Sequence, residues 1–160
     1  MQVEVVRSSR RHRTVQARQI GEVLRVSIPA TMTQSEEERW VAEMVDRAER
    51  RRRAGMVDLA ARARDLARRH DLPRPASIRW VENQRCRWGS CTPADGTVRI
   101  SSRLAGVPGW VLDYVIVHEL AHLVVDAHDE AFWELVGRYT RAERARGYLM
   151  ALGSSADLDG

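Results

Sequence analysis

Apolar and polar residues alternate in three short stretches near the start of the chain. These stretches are Val3–Val5, Thr14–Ala17 and Val23–Ile28. Alternation with a period of two is typical of strands that bury one face. Gly21-Glu22 lies between the last two stretches, where a turn is expected. We therefore predict an antiparallel ribbon within residues 3–29.

The spacing of apolar residues changes to a helical period at Thr33. Thr33-Gln34-Ser35-Glu36 has the form of a capping box, in which a hydroxyl and a carboxylate accept hydrogen bonds from free amides at a helix start. From there to about Arg53, apolar residues recur at steps of three and four. Helical spacing resumes from Met56 to His70, after an interruption at Gly55. Two N-terminal helices are predicted.

The second half of the chain begins with strands and continues with an apolar helix. Strands are predicted at Ser77–Val81 and Thr97–Ser101, with a polar loop between them. From Trp110 to Val125 nearly every position is apolar, so this helix must be central to the fold. The fold class predicted is α+β, a single domain with a mainly antiparallel sheet. The remaining predictions are helices at about 129–139 and 141–149, a domain over 1–152 and a flexible tail at 153–160.

The positive charge of the chain changes this picture little. The chain has 26 basic and 22 acidic residues and a formal net charge of +4. All the basic residues are Arg, and Asn83 and Phe132 are the only Asn and Phe. Because Lys, Asn and Phe have A/T-rich codons, we attribute the bias to genome composition. The run Arg50–Arg53 is expected to be solvated helix surface, with a nucleic-acid face as the alternative.

The N-terminal residues and the cysteines predict a cytoplasmic protein without a membrane segment. Met1–Arg7 has charges where a secretory signal needs an apolar core, and no window reaches the roughly 20 apolar residues of a membrane span. Cys86 and Cys91 are the only cysteines. In a reducing compartment they are expected to remain thiols and to serve packing.

Two histidines and a glutamate interrupt the apolar helix. His118-Glu119-Leu120-Ala121-His122 places two imidazoles four residues apart, so both can reach one ion from one helix face. Glu119 lies beside that face and can take a proton from a zinc-activated water. The alternative, a pair of core histidines bonded to the backbone, predicts no particular spacing. The motif therefore favours zinc-dependent hydrolysis with Glu119 as the catalytic base.

A catalytic zinc site usually needs a third protein ligand. His128 is the predicted one, because it is the only other histidine near the motif and enough chain precedes it to end the helix and fold back. Glu134 and Glu130 on the next predicted helix are the alternatives. Asp126 and Asp129 are expected either to cap helix ends or to orient a ligating imidazole.

Two sequence blocks resemble those of the YgjP-like metallopeptidase family, which is related to the SprT-like and WLM zinc peptidases. The blocks are Arg87-Trp88-Gly89-Ser90-Cys91 and Asp113–Leu123 with the following His128 and Phe132-Trp133. The resemblance covers roughly residues 76–135. It implies a zincin-like fold, a Zn²⁺ cofactor and a peptide or protein substrate. The site residues it implies are the ligands His118, His122 and His128 and the base Glu119.

Some residues depart from the patterns of related families. The family has asparagine and serine beside its third histidine, where this chain has Ala127 and Asp129. The histidine spacing equals that of metzincins, but Val125 stands where those have glycine, and no Met-turn is evident. We therefore reject a metzincin. No cysteine-rich ribbon like that of SprT relatives is found, so a DNA-repair role is not supported.

Zincin substrates commonly add as a strand to the sheet edge beside the metal helix. Thr97–Ser101 is the candidate edge, with an internal strand as the alternative. The candidates for stabilising an oxyanion are Tyr114, Tyr139, Arg87 and Arg103. The predicted function is zinc-dependent peptide hydrolysis. The alternatives are hydrolysis of another bond, such as a nucleotide phosphoanhydride, and a non-enzymatic zinc or nucleic-acid binding module.

Overall fold

The computed structural model describes residues 1–84 and 86–153, whose contacts form two compact units. The first unit is Met1–Arg52, and the second begins at Arg53. Helices and small sheets make up both units, which confirms the predicted α+β class. The single domain over residues 1–152 stays a prediction. From residue 154 onward, the predicted tail lies outside the described residues.

The first unit is built on a three-stranded sheet and a long helix. Its elements are β1 Gln2–Ser8, β2 Gln16–Ile20, β3 Val23–Pro29 and α1 Gln34–Gly55, the last turn of which extends into the second unit. β3 is central and pairs antiparallel with β2 but parallel with β1. The prediction of an antiparallel ribbon is therefore wrong for β1. Alternation marks the buried face of a strand and carries no information on the direction of its neighbour.

Helix α1 begins at the predicted capping box. The Thr33 hydroxyl accepts a hydrogen bond from the Glu36 amide at 3.4 Å, and the Glu36 carboxylate accepts one from the Thr33 amide at 2.9 Å. The helix ends at Gly55, where the sequence predicts an interruption. The buried core of this unit consists of Leu24, Val26, Ile28 and Met44. A local sequence signal thus sets where the helix starts, and apolar spacing sets which face it buries.

The second unit contains another three-stranded sheet and the remaining helices. Its elements are α2 Leu59–Arg69, β4 Ser77–Val81, β5 Gly89–Thr92, β6 Thr97–Ser101, a 3₁₀ helix Ser102–Gly106, α3 Gly109–Ala121, α4 Glu130–Gly137 and α5 Ala142–Ala151. β6 is parallel to β4 and antiparallel to β5. Each sheet thus mixes one parallel with one antiparallel pairing, where the prediction was a mainly antiparallel sheet.

β5 is the edge strand that contacts α3. Of the two alternatives left open for Thr97–Ser101, the structure shows the internal strand, because β6 has a partner on each side. The sequence predicts a loop where β5 lies, since Gly89-Ser90-Cys91-Thr92 has no alternation of large apolar residues. Its strand character comes from pairing with β6 through a tight turn, in which Gly96 has a φ of 69°.

Helix α3 is the buried centre of the second unit. All but three of its 13 residues are buried, and it contacts α2, α4, α5, β5 and β6. The Arg62 side chain fixes its start, because the guanidinium donates to the Asp113 carboxylate and, at 3.1 Å, to the carbonyl oxygen of Gly109. Among the described residues no helix is both long enough and apolar enough to cross a membrane.

Helix α3 ends at Ala121 rather than at the predicted Val125. Beyond that point the hydrogen bonds tighten, and the amides of Leu123 and Val124 bond to carbonyl groups three residues earlier. Such bonds close a last, narrower turn of a helix. The chain then leaves the helix axis, and this turn brings His128 back toward α3.

Candidate metal centre

Three imidazoles meet where α3 ends. His118 lies in the last turn of α3, and His122 forms its C-cap, so the two rings share one side of the helix. His128 comes from the loop before α4. Its Nε2 atom lies 3.3 Å from Nε2 of His118 and 3.0 Å from Nε2 of His122. The predicted trio is thus brought together, with one ring nitrogen of each residue within 4.8 Å of the others.

Both histidines on α3 are held in the neutral form. Burial lowers the pKa of His118 to about 3, with a smaller contribution from the neighbouring imidazoles of His122 and His128. Burial also lowers the pKa of His122, although a hydrogen bond to Val125 opposes the shift. The Nδ1 atom of His122 lies 3.1 Å from the Val125 carbonyl oxygen, which can only accept, so the ring proton is on Nδ1. The Nε2 lone pair of His122 therefore faces the other two rings.

A transition-metal ion fits this arrangement. The Nε2 atoms lie 3.0 and 3.3 Å apart with at least one lone pair directed into the space between them. Two ligand nitrogens on a tetrahedral ion with bonds of about 2.0–2.1 Å are about 3.3–3.4 Å apart. Imidazole is a good donor for zinc and its neighbours, whereas calcium and magnesium prefer oxygen. The three histidines could therefore hold a metal ion of the first kind.

The Phe132 ring supports all three imidazoles from one side. Its centroid lies 4.9 Å from that of His118, 4.4 Å from that of His122 and 4.6 Å from that of His128. Phe132 is fully buried, and its amide donates at 3.0 Å to Oδ1 of Asp129, the N-cap of α4. Of the two roles predicted for Asp129, helix capping is therefore the one that the structure supports.

Glu119 lines the same cavity as the histidines and is only 6% exposed. Strand β5 passes so close to it that Gly89 has no room for a side chain. A Cβ atom at Gly89 would lie 2.6 Å from Oε1 and 2.8 Å from Cγ of Glu119. Any larger residue would displace the carboxylate, because packed atoms do not approach so closely. The sequence motif contains Gly89, but only this long-range contact shows what the glycine does.

A cavity of about 240 Å³ opens beside the histidines, between α3 and β5. Arg87 and Asp126 are exposed charged residues among the described residues that line it. A larger cavity of about 710 Å³ lies within the first unit, but no histidine or cysteine is among its described lining residues. Groups able to bind a metal ion and move a proton therefore meet at the smaller cavity.

Cys91 also lines the smaller cavity, as a thiol. Burial raises its pKa to about 11, and the nearby charge of Glu119 adds to the effect. Neither Cys91 nor Cys86 forms a disulfide, in agreement with the predicted thiol state. Within the described ranges, the cluster of potential metal ligands consists of the three histidines and includes neither Glu130 nor Glu134.

The four residues predicted as oxyanion stabilisers lie in different surroundings. The Tyr139 hydroxyl donates to the carbonyl oxygen of Trp110 at 2.8 Å, and Arg103 lies 4.0 Å above a tryptophan ring. Tyr114 is fully buried in the core. Arg87 is the member of this set that lines the cavity, as far as the described residues show.

Taken together, the structure shows an α+β protein with three histidines that could hold a metal ion and an adjacent buried carboxylate, a combination typical of metal-dependent hydrolases. The chain belongs to the YgjP-like family, since the model described as YgjP-like, metallopeptidase domain matches residues 11–147. The family predicted from the sequence is confirmed, and the matched region contains the complete histidine cluster.

A solved structure resembles part of this fold. It is the crystal structure of the metallopeptidase zymogen of Pyrococcus abyssi abylysin, with a TM-score of 0.52 and 19% sequence identity. The likeness covers 58% of this chain and 92% of that one. At this identity it concerns the fold alone. A search of curated proteins finds no match to the chain.

Metal content tests the three-histidine centre. We expect one equivalent of a divalent transition-metal ion per chain after dialysis against a metal buffer. Replacing His118, His122 or His128 by Ala should weaken binding by more than about 100-fold, since loss of a ligand exceeds the effect of losing an outer partner. Glu134→Ala is the control and should keep its metal. Elemental analysis gives the stoichiometry, and near-full metal in His128→Ala would rule out the third ligand.

Proposed function

We propose that this protein is a zinc-dependent peptidase, with His118, His122 and His128 as the zinc ligands and Glu119 as the catalytic base. The observation that carries the proposal is the convergence of three imidazoles and a buried carboxylate on one cavity. A set of three imidazole donors is typical of catalytic zinc. Membership of a metallopeptidase family supports a peptide bond as the target.

In the proposed reaction Glu119 would transfer the proton, and β5 would keep its carboxylate in position. When bound, zinc supplies Lewis acidity, which activates water and polarises a carbonyl oxygen. Glu119 takes the proton of the attacking water and returns it to the leaving nitrogen. Because β5 packs against the carboxylate at Gly89, it restricts the movement of Glu119 and so lowers the free-energy cost of reaching the reactive geometry.

The free edge of β5 suits an extended peptide substrate. The Ser101 amide bonds to the Trp88 carbonyl oxygen at 2.9 Å, so Trp88 faces β6 with its backbone groups. Residues of an antiparallel ladder point their backbone N–H and C=O groups alternately toward and away from the neighbouring strand. The backbone groups of Gly89 and Cys91 therefore point away from β6, toward the open side of β5. Both residues also line the cavity that contains Glu119. A substrate strand added to β5 would thus run past the base, which supports β5 in place of β6 as the substrate edge.

Glu119→Gln tests the proposed base. The amide has nearly the size of the carboxylate but cannot take a proton, so kcat should fall about 10²- to 10⁴-fold. Zinc content should not change, because Glu119 is not among the ligands. The measurements are cleavage of a fluorogenic peptide library and metal analysis of the same preparation.

Comparing the wild-type protein with Glu119→Gln on two substrate classes also distinguishes peptide hydrolysis from the alternative functions. Peptide cleavage that depends on Glu119 supports the proposal. Release of phosphate or pyrophosphate from nucleoside triphosphates, without peptide cleavage, would instead identify a phosphoanhydride hydrolase. Absence of turnover on both substrate classes in the zinc-loaded protein, with zinc binding intact, would favour a binding module.

Gly89→Ala tests whether β5 positions the base. The new methyl group would overlap the Glu119 carboxylate and displace it, and a misplacement of about 1 Å can cost on the order of 100-fold in rate. We expect such a loss in kcat with full zinc content. Gly147→Ala is the matched control, since no atom lies within 4 Å of the added carbon there. Wild-type kcat in Gly89→Ala would show that β5 does not constrain the base.

Arg87→Gln tests a stabiliser of the negative charge that develops on the substrate oxygen. Loss of one such donor lowers kcat about 10²- to 10³-fold in other hydrolases, and a similar loss is expected here, with zinc content unchanged. Arg79→Gln, at an exposed position of β4, is the control. An effect confined to KM would limit Arg87 to substrate binding, and normal kinetics would exclude it from the site.

A further inference from the structure

His128 is the member of the histidine trio that no helix holds. His118 and His122 are fixed by α3, whereas His128 lies in the loop immediately before Asp129, the N-cap of α4. A side chain on a loop changes orientation more readily than one on a packed helix. A metal site binds tightly only if its ligands are already oriented. Other groups must therefore hold the His128 ring.

Trp133 of α4 provides a surface for the His128 ring. The two ring centroids are 5.7 Å apart and the planes differ by 26°, which is a stacked arrangement. Trp133 is partly buried and packs against the core of the second unit. Stacked rings attract each other, and the contact restricts rotation of the smaller ring. Trp133 thus contacts the ligand without being a ligand.

Arg146 of α5 in turn holds Trp133. Its guanidinium carbon lies 4.7 Å from the Trp133 ring centroid, and its side chain is only 25% exposed. The Trp133 ring that Arg146 contacts also lies 6.2 Å, between ring centroids, from His118, so the positive charge is near the histidine trio. A fixed cation here opposes binding of a metal ion, so its place needs a compensating interaction. The face of Trp133 offers one such interaction, and the Glu143 carboxylate, 3.4 Å from Nη1 of Arg146 and exposed to solvent, offers another.

We propose that Trp133, held by Arg146, is a positioning residue that keeps the His128 imidazole oriented for metal binding. This inference rests on the proposed metal centre but not on the nature of the substrate. Helix α4 then supports the loop ligand in three ways, through the Asp129 cap, the Phe132 ring and the Trp133 stack.

A second pair of Arg and Trp in the same unit supplies matched controls. Arg144 also lies on α5, and its guanidinium carbon is 5.2 Å from the ring centroid of Trp110. Trp110 makes an edge contact with Tyr148 rather than with a metal-site histidine. Substitutions in this pair should disturb packing to a similar degree without touching the trio.

The first experiment measures zinc affinity by competition with a chromophoric chelator. Trp133→Leu should weaken binding about 10- to 100-fold, the usual effect of losing a group that orients a ligand. Trp110→Leu should stay within about twofold, and Trp133→Phe, which keeps a flat ring, should recover most of the affinity. Urea unfolding of the metal-free variants should give similar losses for the two Leu variants, so that a difference in zinc affinity reports positioning.

The second experiment separates stacking from charge. If Arg146 acts by holding Trp133, Arg146→Gln should weaken zinc binding about 2- to 10-fold, with Arg144→Gln unchanged. If its charge dominates, the same variant should bind zinc more tightly, which would overturn the role of Arg146. Arg146→Gln also tests the role of Trp133 if the Trp133→Leu variant does not fold.

The failure of this inference is distinguishable from that of the metal centre. A wild-type protein that binds no zinc would refute the centre itself. Tight wild-type binding with undiminished affinity in Trp133→Leu would refute only the positioning role. Equal losses in Trp133→Leu and Trp110→Leu would also refute it, because the effect would then come from general packing.

Discussion

The burial of polar groups in an apolar helix is the constraint on which the second unit depends. His118 and Glu119 are 4% and 6% exposed, in a helix that is otherwise largely hydrocarbon on its inner side. Buried polar groups cost free energy unless they find partners, and burial here lowers the pKa of His118 to about 3. Where two ring nitrogens that both carry a lone pair face each other, no hydrogen bond forms between them. A metal ion held by the three rings would offset the free-energy cost of burying them, and the three ring nitrogens lie close enough together to hold one.

The buried Glu119 side chain also packs against β5, an edge strand of the sheet. β5 passes within contact of Glu119 at Gly89, which limits the space in which the carboxylate can move. β5 is also one of the two edge strands of this sheet, so its outer side pairs with no strand among the described residues. The position of this carboxylate and the sheet edge open to an extended chain therefore both depend on β5.

Local signals made part of this site predictable from the sequence. His118 and His122 follow from helical periodicity alone, and the Thr33 capping box gives the start of α1 to within a residue. What the sequence does not contain is the long-range pairing that makes Gly89 part of a strand and brings it to a helix that lies about 30 residues further along the chain. The parallel direction of β1 is of the same kind, since pairing between segments distant in sequence leaves no periodic trace.

The early end of α3 agrees with the geometry of a helix, which can supply only two imidazoles from one face to a single ion. Residues at i and i+4 lie about 6 Å apart along the axis, but the next on that face is about 11–12 Å from the first, too far to share a ligand sphere. A third imidazole must therefore come from another segment, and the chain has to leave the helix soon after His122. The carbonyl oxygen of Val125, in the turn that does this, also accepts from Nδ1 of His122 and so fixes the tautomer that exposes the Nε2 lone pair. The turn that ends the helix is thus part of the candidate metal centre, because it redirects the chain toward His128 and leaves the Nε2 lone pair of His122 facing the other two rings.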